Sequence, residues 1–200
     1  GYQALALTDE CSVAGVVRAW KAAQPPGLHL NVGSEVLWGD LRLVALARDA
    51  EGWGNLCEFI SAARRAAPKG QYHVGPASPW HLLQGCELLL APCRKRFNAT
   101  DLIAIEAFLS RAKTCFGSDF DGHIWLAVEL HLAPDDGLWL ATLQRVGVQL
   151  GLPLVAAGDV HMHARSRKPL QDVITAVRLG CSVAECGFAL QPNAERHLRQ

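Results

Sequence analysis

Short apolar runs alternate with amphipathic segments along most of the chain, and this alternation restricts the fold more than any other feature. "ALALT" (4–8), "LHLNVGSEV" (28–36), "LRLVALA" (41–47), "ELLLAP" (87–92), "HIWLAVEL" (123–130) and "PLVAAG" (153–158) have the length and residue types of strands. Gly39-Asp40 joins the second and third as a hairpin turn. Helical period fills the intervals. Ser12 is placed to cap a helix with Val13, Val16, Val17 and Trp20 on one face, ended by Pro25-Pro26-Gly27. Residues 55–67 carry Leu56, Phe59, Ile60 and Ala63 on one side, and Thr100 caps a segment bearing Leu102, Ile105, Phe108 and Leu109. Asp135 and Asp136 open a helix that runs to Gly151. Pro169 opens the last, with Leu170, Val173, Ile174 and Val177 on one face and Gly180 as terminator. Strands separated by helices predict βαβ units in a mostly parallel α/β sheet, either doubly wound or part of a barrel.

Two hundred residues suit one domain, and half of them are apolar, enough to bury a core. A formal net charge of zero argues against a stand-alone nucleic-acid binder, although not against a domain carried by a larger nucleic-acid enzyme. The seven cysteines are scattered with no CxxC pair, and there is no secretory signal, so a reduced cytoplasmic protein is expected. No apolar run approaches the roughly 18 residues of a membrane span. The chain opens at Gly1 in the run-up to a strand, and its one methionine is Met162, so it reads as a piece of a longer polypeptide. G-x-S-x-G, P-loop and G-x-G-x-x-G motifs are all absent.

Ligand-type side chains fall where the strands end. Asp9 and Glu10 close the first run, Glu35 the second, Cys93 the fourth, Glu129 and His131 the fifth, and Asp159 and His161 the sixth. In a parallel α/β fold those ends converge on one edge, where active sites lie. Mixed carboxylate, thiol and imidazole donors suit zinc, manganese or iron better than magnesium, and such a cluster can generate a hydroxide for phosphoester hydrolysis. Taken singly, each residue has an ordinary structural reading; the coincidence over five strand ends carries the expectation of a shared site. His29 and His123 begin strands and belong to the opposite edge, while His163 is an unassigned neighbour of the cluster. Arg94-Lys95-Arg96 and the basic run 165–168 read as solvated faces, with phosphate contact as the alternative. Trp53 and Trp125 read as packing residues.

"ALALTDECSVAGVVRAW", "NVGSEV", "EGWGNLCEFISAARR", "GDVHMHARSRKPLQDVITAVRLG" and "PNAERHL" together resemble the amino-terminal PHP (polymerase and histidinol phosphatase) domain of bacterial error-prone C-family DNA polymerases, relatives of the polymerase III alpha subunit. The resemblance covers nearly the whole chain and is weakest between residues 68 and 100. It implies a distorted (β/α)7 barrel with metal ligands at Glu10, Glu35, Cys93, His131, Asp159 and His161, and with Glu129 as a neighbour or further ligand. It also implies a PHP domain over residues 1–185 and the start of a linker towards a polymerase core at 186–200.

Two departures accompany the resemblance. The family's first strand, ending in His-x-His, has no counterpart here, so truncation at the N-terminus is expected. PHP phosphoesterases carry histidine where this chain has Glu10 in "TDE", so weak phosphoesterase activity is expected. For the parent chain the resemblance implies a DNA-directed DNA polymerase (a magnesium-dependent nucleotidyltransferase) in translesion synthesis, DNA repair and replication. Its partners would be DNA, deoxynucleotides and other translesion or replication proteins, with no membrane and no strong DNA binding by the fragment alone. The alternatives are a stand-alone PHP phosphatase and a metal-free structural or interaction module.

Overall fold

The computed structural model describes residues 2–25, 27–94 and 102–199. Its elements are β1 (Ala4–Glu10), α1 (Val16–Ala23), β2 (His29–Trp38), β3 (Leu41–Ala47), α2 (Ala50–Arg65), β4 (Cys86–Pro92), α3 (Leu102–Phe116), β5 (Ile124–Val128), α4 (Asp136–Leu150), β6 (Leu154–Ala156) and α5 (Lys168–Leu179), with short 3-10 turns between. All six expected strands are present. β1 runs further than its apolar run, so Glu10 lies within the strand rather than just beyond it, and β2 extends to Trp38.

The strands form one sheet in sequence order. β1–β2, β4–β5 and β5–β6 pair in parallel, and β3 is antiparallel to both its neighbours. Inversion of β3 follows from the Gly39-Asp40 turn, where Gly39 takes φ +59° and Trp38 pairs directly with Leu41. The C-terminal ends of five strands and the N-terminal end of β3 therefore share one edge.

Pleating divides the side chains cleanly. Leu41, Leu43, Leu88, Leu90 and Leu126 share one face, fully buried against Leu56 and Phe59 of α2, Leu109 and Phe116 of α3, and Trp139 and Leu143 of α4. Trp80 anchors this layer, with ring centroids 5.0 Å from Trp38, 5.5 Å from Phe59 and 5.1 Å from Phe116. Alternation puts the intervening residues on the other face. Glu10 pairs with Glu35, and Leu37 with Arg42, which in turn pairs with Ala91. Stepping by two from Trp125 and Val155 adds Glu129 and Asp159 to the same side.

Several helix boundaries differ from the sequence reading. α1 starts at Val16 rather than after Ser12, whose hydroxyl instead accepts from the Ala14 N–H at 3.2 Å in a local turn. α2 starts at Ala50, five residues earlier than its apolar period suggests, because the Asp49 carboxylate accepts the Gly52 N–H at 2.8 Å. Asp49→Ala should cost about 1 kcal/mol in a urea melt, the usual effect of removing an N-cap. Thr100, expected to cap α3, lies outside the described residues, as do Lys95 and Arg96. α4 and α5 end as expected at Gly151 and Gly180, both left-handed. The apolar faces expected on α1 and α5 are real but not buried: Val17, Trp20, Leu170, Val173, Ile174 and Val177 are all exposed. Among the described residues, no helix is long and apolar enough to cross a membrane.

Candidate functional site

The strand-end edge gathers the expected carboxylates around an arginine. Arg42, second residue of β3, projects onto the same face as Glu35, Glu129 and Asp159. One of its guanidinium nitrogens pairs with Asp159 and lies 3.8 Å from Glu35; the other pairs with Glu129. A side chain on β3 meets a partner beyond β6, so the sheet is curled around this point. Arg196, carried back by the C-terminal segment, pairs with the second oxygen of Asp159. His161 lies 3.2 Å from Asp159 through Nε2.

Backbone strain marks the same edge. Cys11, Leu132 and Asp159 have φ of +45°, +56° and +43°, all in the segments that follow β1, β5 and β6. Aspartate tolerates this left-handed conformation better than most residues; a leucine does so only where surrounding contacts enforce it. Here Asn193 donates to the His131 carbonyl at 2.6 Å and Arg199 to the Leu130 carbonyl at 2.5 Å, which pins the segment.

Burial sets the protonation tendencies. Loss of solvent raises the Glu35 and Glu129 carboxyls above the ordinary range, with Arg42 opposing the shift in both. Loss of solvent also lowers His161 and His131, which keeps both imidazoles neutral near pH 7. His131 donates from Nε2 to the Gly158 carbonyl at 2.9 Å, so Nδ1 is its unprotonated nitrogen.

The six expected ligands do not form one cluster. Glu35, Asp159 and His161 come together with Glu129. Glu10 sits beside Glu35 in register, where its carboxylate accepts from the Tyr72 hydroxyl at 2.7 Å. Cys93 and His131 border the same site through a pocket of about 230 Å³ that they line together with Arg42, Glu129 and Arg196. His163 is exposed. His123, expected on the far edge, is there, bonded to Glu87 at 2.8 Å.

The carboxylate and imidazole donors are of a type that suits a metal, but in this arrangement Arg42 stands among them. Among the described residues, no three His, Cys, Asp or Glu side chains are disposed to hold one ion. The guanidinium of Arg42 stands among the carboxylates and satisfies them as a cation would. Arg42 and Arg196 were not legible as site residues from apolar period. Two signals point to them: the Gly39-Asp40 hairpin, which must return the start of β3 to the carboxylate edge, and the "PNAERHL" block.

The profile of the PHP domain family matches residues 1–133. The chain is 49% identical over 205 residues to the error-prone DNA polymerase of Dechloromonas aromatica (strain RCB), covering all of this chain and 19% of that protein. It is 49% identical over 201 residues to the error-prone DNA polymerase of Methylococcus capsulatus, covering 100% and 18%. It thus spans about a fifth of the length of these relatives. A crystal structure from Bifidobacterium adolescentis, of a protein provisionally assigned as a metal-dependent phosphoesterase, superposes with a TM-score of 0.52 at 14% identity, over 80% of this chain and 77% of that one. At that identity the likeness is one of fold.

Proposed function

The chain belongs to the PHP domain family, and from that premise we propose that it is the PHP domain of an error-prone C-family DNA polymerase. The observation that carries this reading is the 49% identity, over the whole of this chain, to two proteins of that name. The parent reaction would be magnesium-dependent, template-directed nucleotidyl transfer on damaged DNA in the cytoplasm, during translesion synthesis and repair. Its partners would be DNA, deoxynucleotides and other replication proteins. Residues 1–185 would form the domain, and residues 186–200 would lead towards the polymerase core.

Within that protein the domain acts as a scaffold rather than a hydrolase. Glu10, Glu35, Cys93, His131, Asp159 and His161 are the family's ligand positions, with zinc, manganese or iron as the implied metals. Arg42 and Arg196 place fixed positive charge among the carboxylates, so much of the cluster's negative charge is balanced from within the chain. No hydrolytic step is assigned to it. The neutral imidazoles of His131 and His161 favour a second reading, a metal-dependent phosphoesterase, which would require Arg42 to leave its three partners.

Phosphate release from p-nitrophenyl phosphate separates the two. With added manganese, the wild-type protein should give no release above buffer, and Asp159→Asn should change nothing. Manganese-dependent release that disappears in Asp159→Asn or His161→Ala would overturn the scaffold reading in favour of hydrolysis. Primer extension on a lesion-bearing template by the full-length protein tests the polymerase assignment separately.

A further inference from the structure

Cys181 and Cys186 lie outside the strand-end site. All seven cysteines are free thiols, and these two bring their sulfurs within 3.6 Å of each other. Local backbone produces the approach. α5 stops at Gly180 (φ +68°), and the Cys181 N–H turns back to the Ala176 carbonyl at 3.2 Å. Ser182 then caps a 3-10 turn over Val183–Glu185, its N–H and hydroxyl both donating to the Glu185 carboxylate at 2.9 and 2.6 Å. The Cys186 N–H closes the turn on the Val183 carbonyl at 3.3 Å, and its thiol donates to the Ser182 carbonyl at 3.3 Å. One turn of chain therefore returns the second thiol to the first. Cys181 is half-buried and reachable from solvent, whereas Cys186 is 7% exposed.

We infer that Cys181 and Cys186 are a reversible disulfide site, placed at the root of the segment that carries Arg196 to Asp159. A disulfide needs an S–S distance of about 2.0 Å, so the sulfurs must close by about 1.6 Å from their present 3.6 Å, within reach of side-chain rotation and a small adjustment of the turn. With a peroxide as oxidant the step balances. The Cys181 thiolate attacks a peroxide oxygen and breaks the O–O bond, forming a sulfenic acid and expelling hydroxide, which takes up the proton lost by the thiol and leaves as water. The Cys186 sulfur then attacks that sulfenic sulfur and expels a second water. Two thiols and one peroxide give one disulfide and two waters. A dithiol reductant reverses it by exchange. Access orders the roles: Cys181 meets the oxidant and Cys186 resolves it. The inference is independent of the function proposed for the strand-end site.

The test is peptide mass mapping of the purified protein after a hydrogen peroxide pulse and thiol alkylation. Residues 181 and 186 should lose alkylation together, in a peptide lighter by two hydrogens, and recover it with dithiothreitol. The five other cysteines should remain alkylatable or oxidise singly. Cys186→Ser should instead trap Cys181 as a sulfenic acid, and Cys181→Ser should leave Cys186 unreacted. Full alkylation of both thiols after the pulse, or sulfinic acid at Cys181 beside free Cys186 in the wild type, would overturn the inference.

Discussion

Replacing Arg42 with alanine is expected to destabilise the fold by about 3–5 kcal/mol, the range for deleting one member of a buried ion-pair cluster. The side chains involved are well shielded: Arg42 is 14% exposed, and Glu35, Glu129 and Asp159 are 25%, 18% and 11%. Most of the loss comes from Glu35 and Glu129 left without their paired cation, Asp159 keeping Arg196, and not from the attraction forgone. Acid should relieve it. Burial already holds Glu35 and Glu129 above their ordinary value of 4.5. A carboxyl raised in the folded state contributes stability that is full below 4.5 and is lost as pH rises through its folded value. Removing Arg42 raises both groups further, so the deficit should be largest at neutral pH and should shrink on acidification. Manganese or zinc should restore part of the variant's stability and leave the wild type unmoved, read as shifts in urea midpoint. A deficit that ignores pH, or the same metal response in both proteins, would show that Arg42 is not the counter-charge.

Asp159→Asn should produce the second large effect, about 2–3 kcal/mol. Asp159 serves both Arg42 and Arg196, and hydrogen bonds to charged groups contribute about 1.5–3 kcal/mol each, of which the amide oxygen keeps a part. Asparagine accepts the left-handed backbone at this position, so the substitution isolates charge. Asp159→Ala adds a backbone penalty of about 1 kcal/mol, because alanine is disfavoured at φ +43°. The difference between the two urea midpoints therefore separates electrostatics from strain. Equal losses would mean that the residue acts chiefly through its conformation.

Strand positions were legible because an apolar run such as "ELLLAP" leaves few alternatives to a buried strand, and β4 occupies Cys86–Pro92. The convergence of Glu35, Glu129, Asp159 and His161 followed from strand direction alone. Arg42 was not, since a basic residue at the head of an apolar run looks like a solvated turn residue until the inversion of β3 is taken into account. Arg196 lies in a segment without period, and only tertiary packing brings it to Asp159. The exposed apolar faces of α1 and α5 show a different limit: amphipathic period reports which side of a helix water disfavours, not what covers that side. The start of α2 shows the opposite case. Its first five residues include Gly52 and Gly54 and show little apolar period, and a single capping carboxylate at Asp49 is enough to begin the helix there.

The two-residue turn at Gly39-Asp40 has a consequence for how such a site can change over generations. Register in β3 is counted from that turn, and a slip of one residue exchanges the two faces of a strand. An insertion there would swing the guanidinium into the leucine layer and offer a leucine to the carboxylates, with every acidic and imidazole residue left in place. Length at this corner, as much as residue identity at the strand ends, decides whether the charge cluster is balanced from within the chain or left to take a cation from outside.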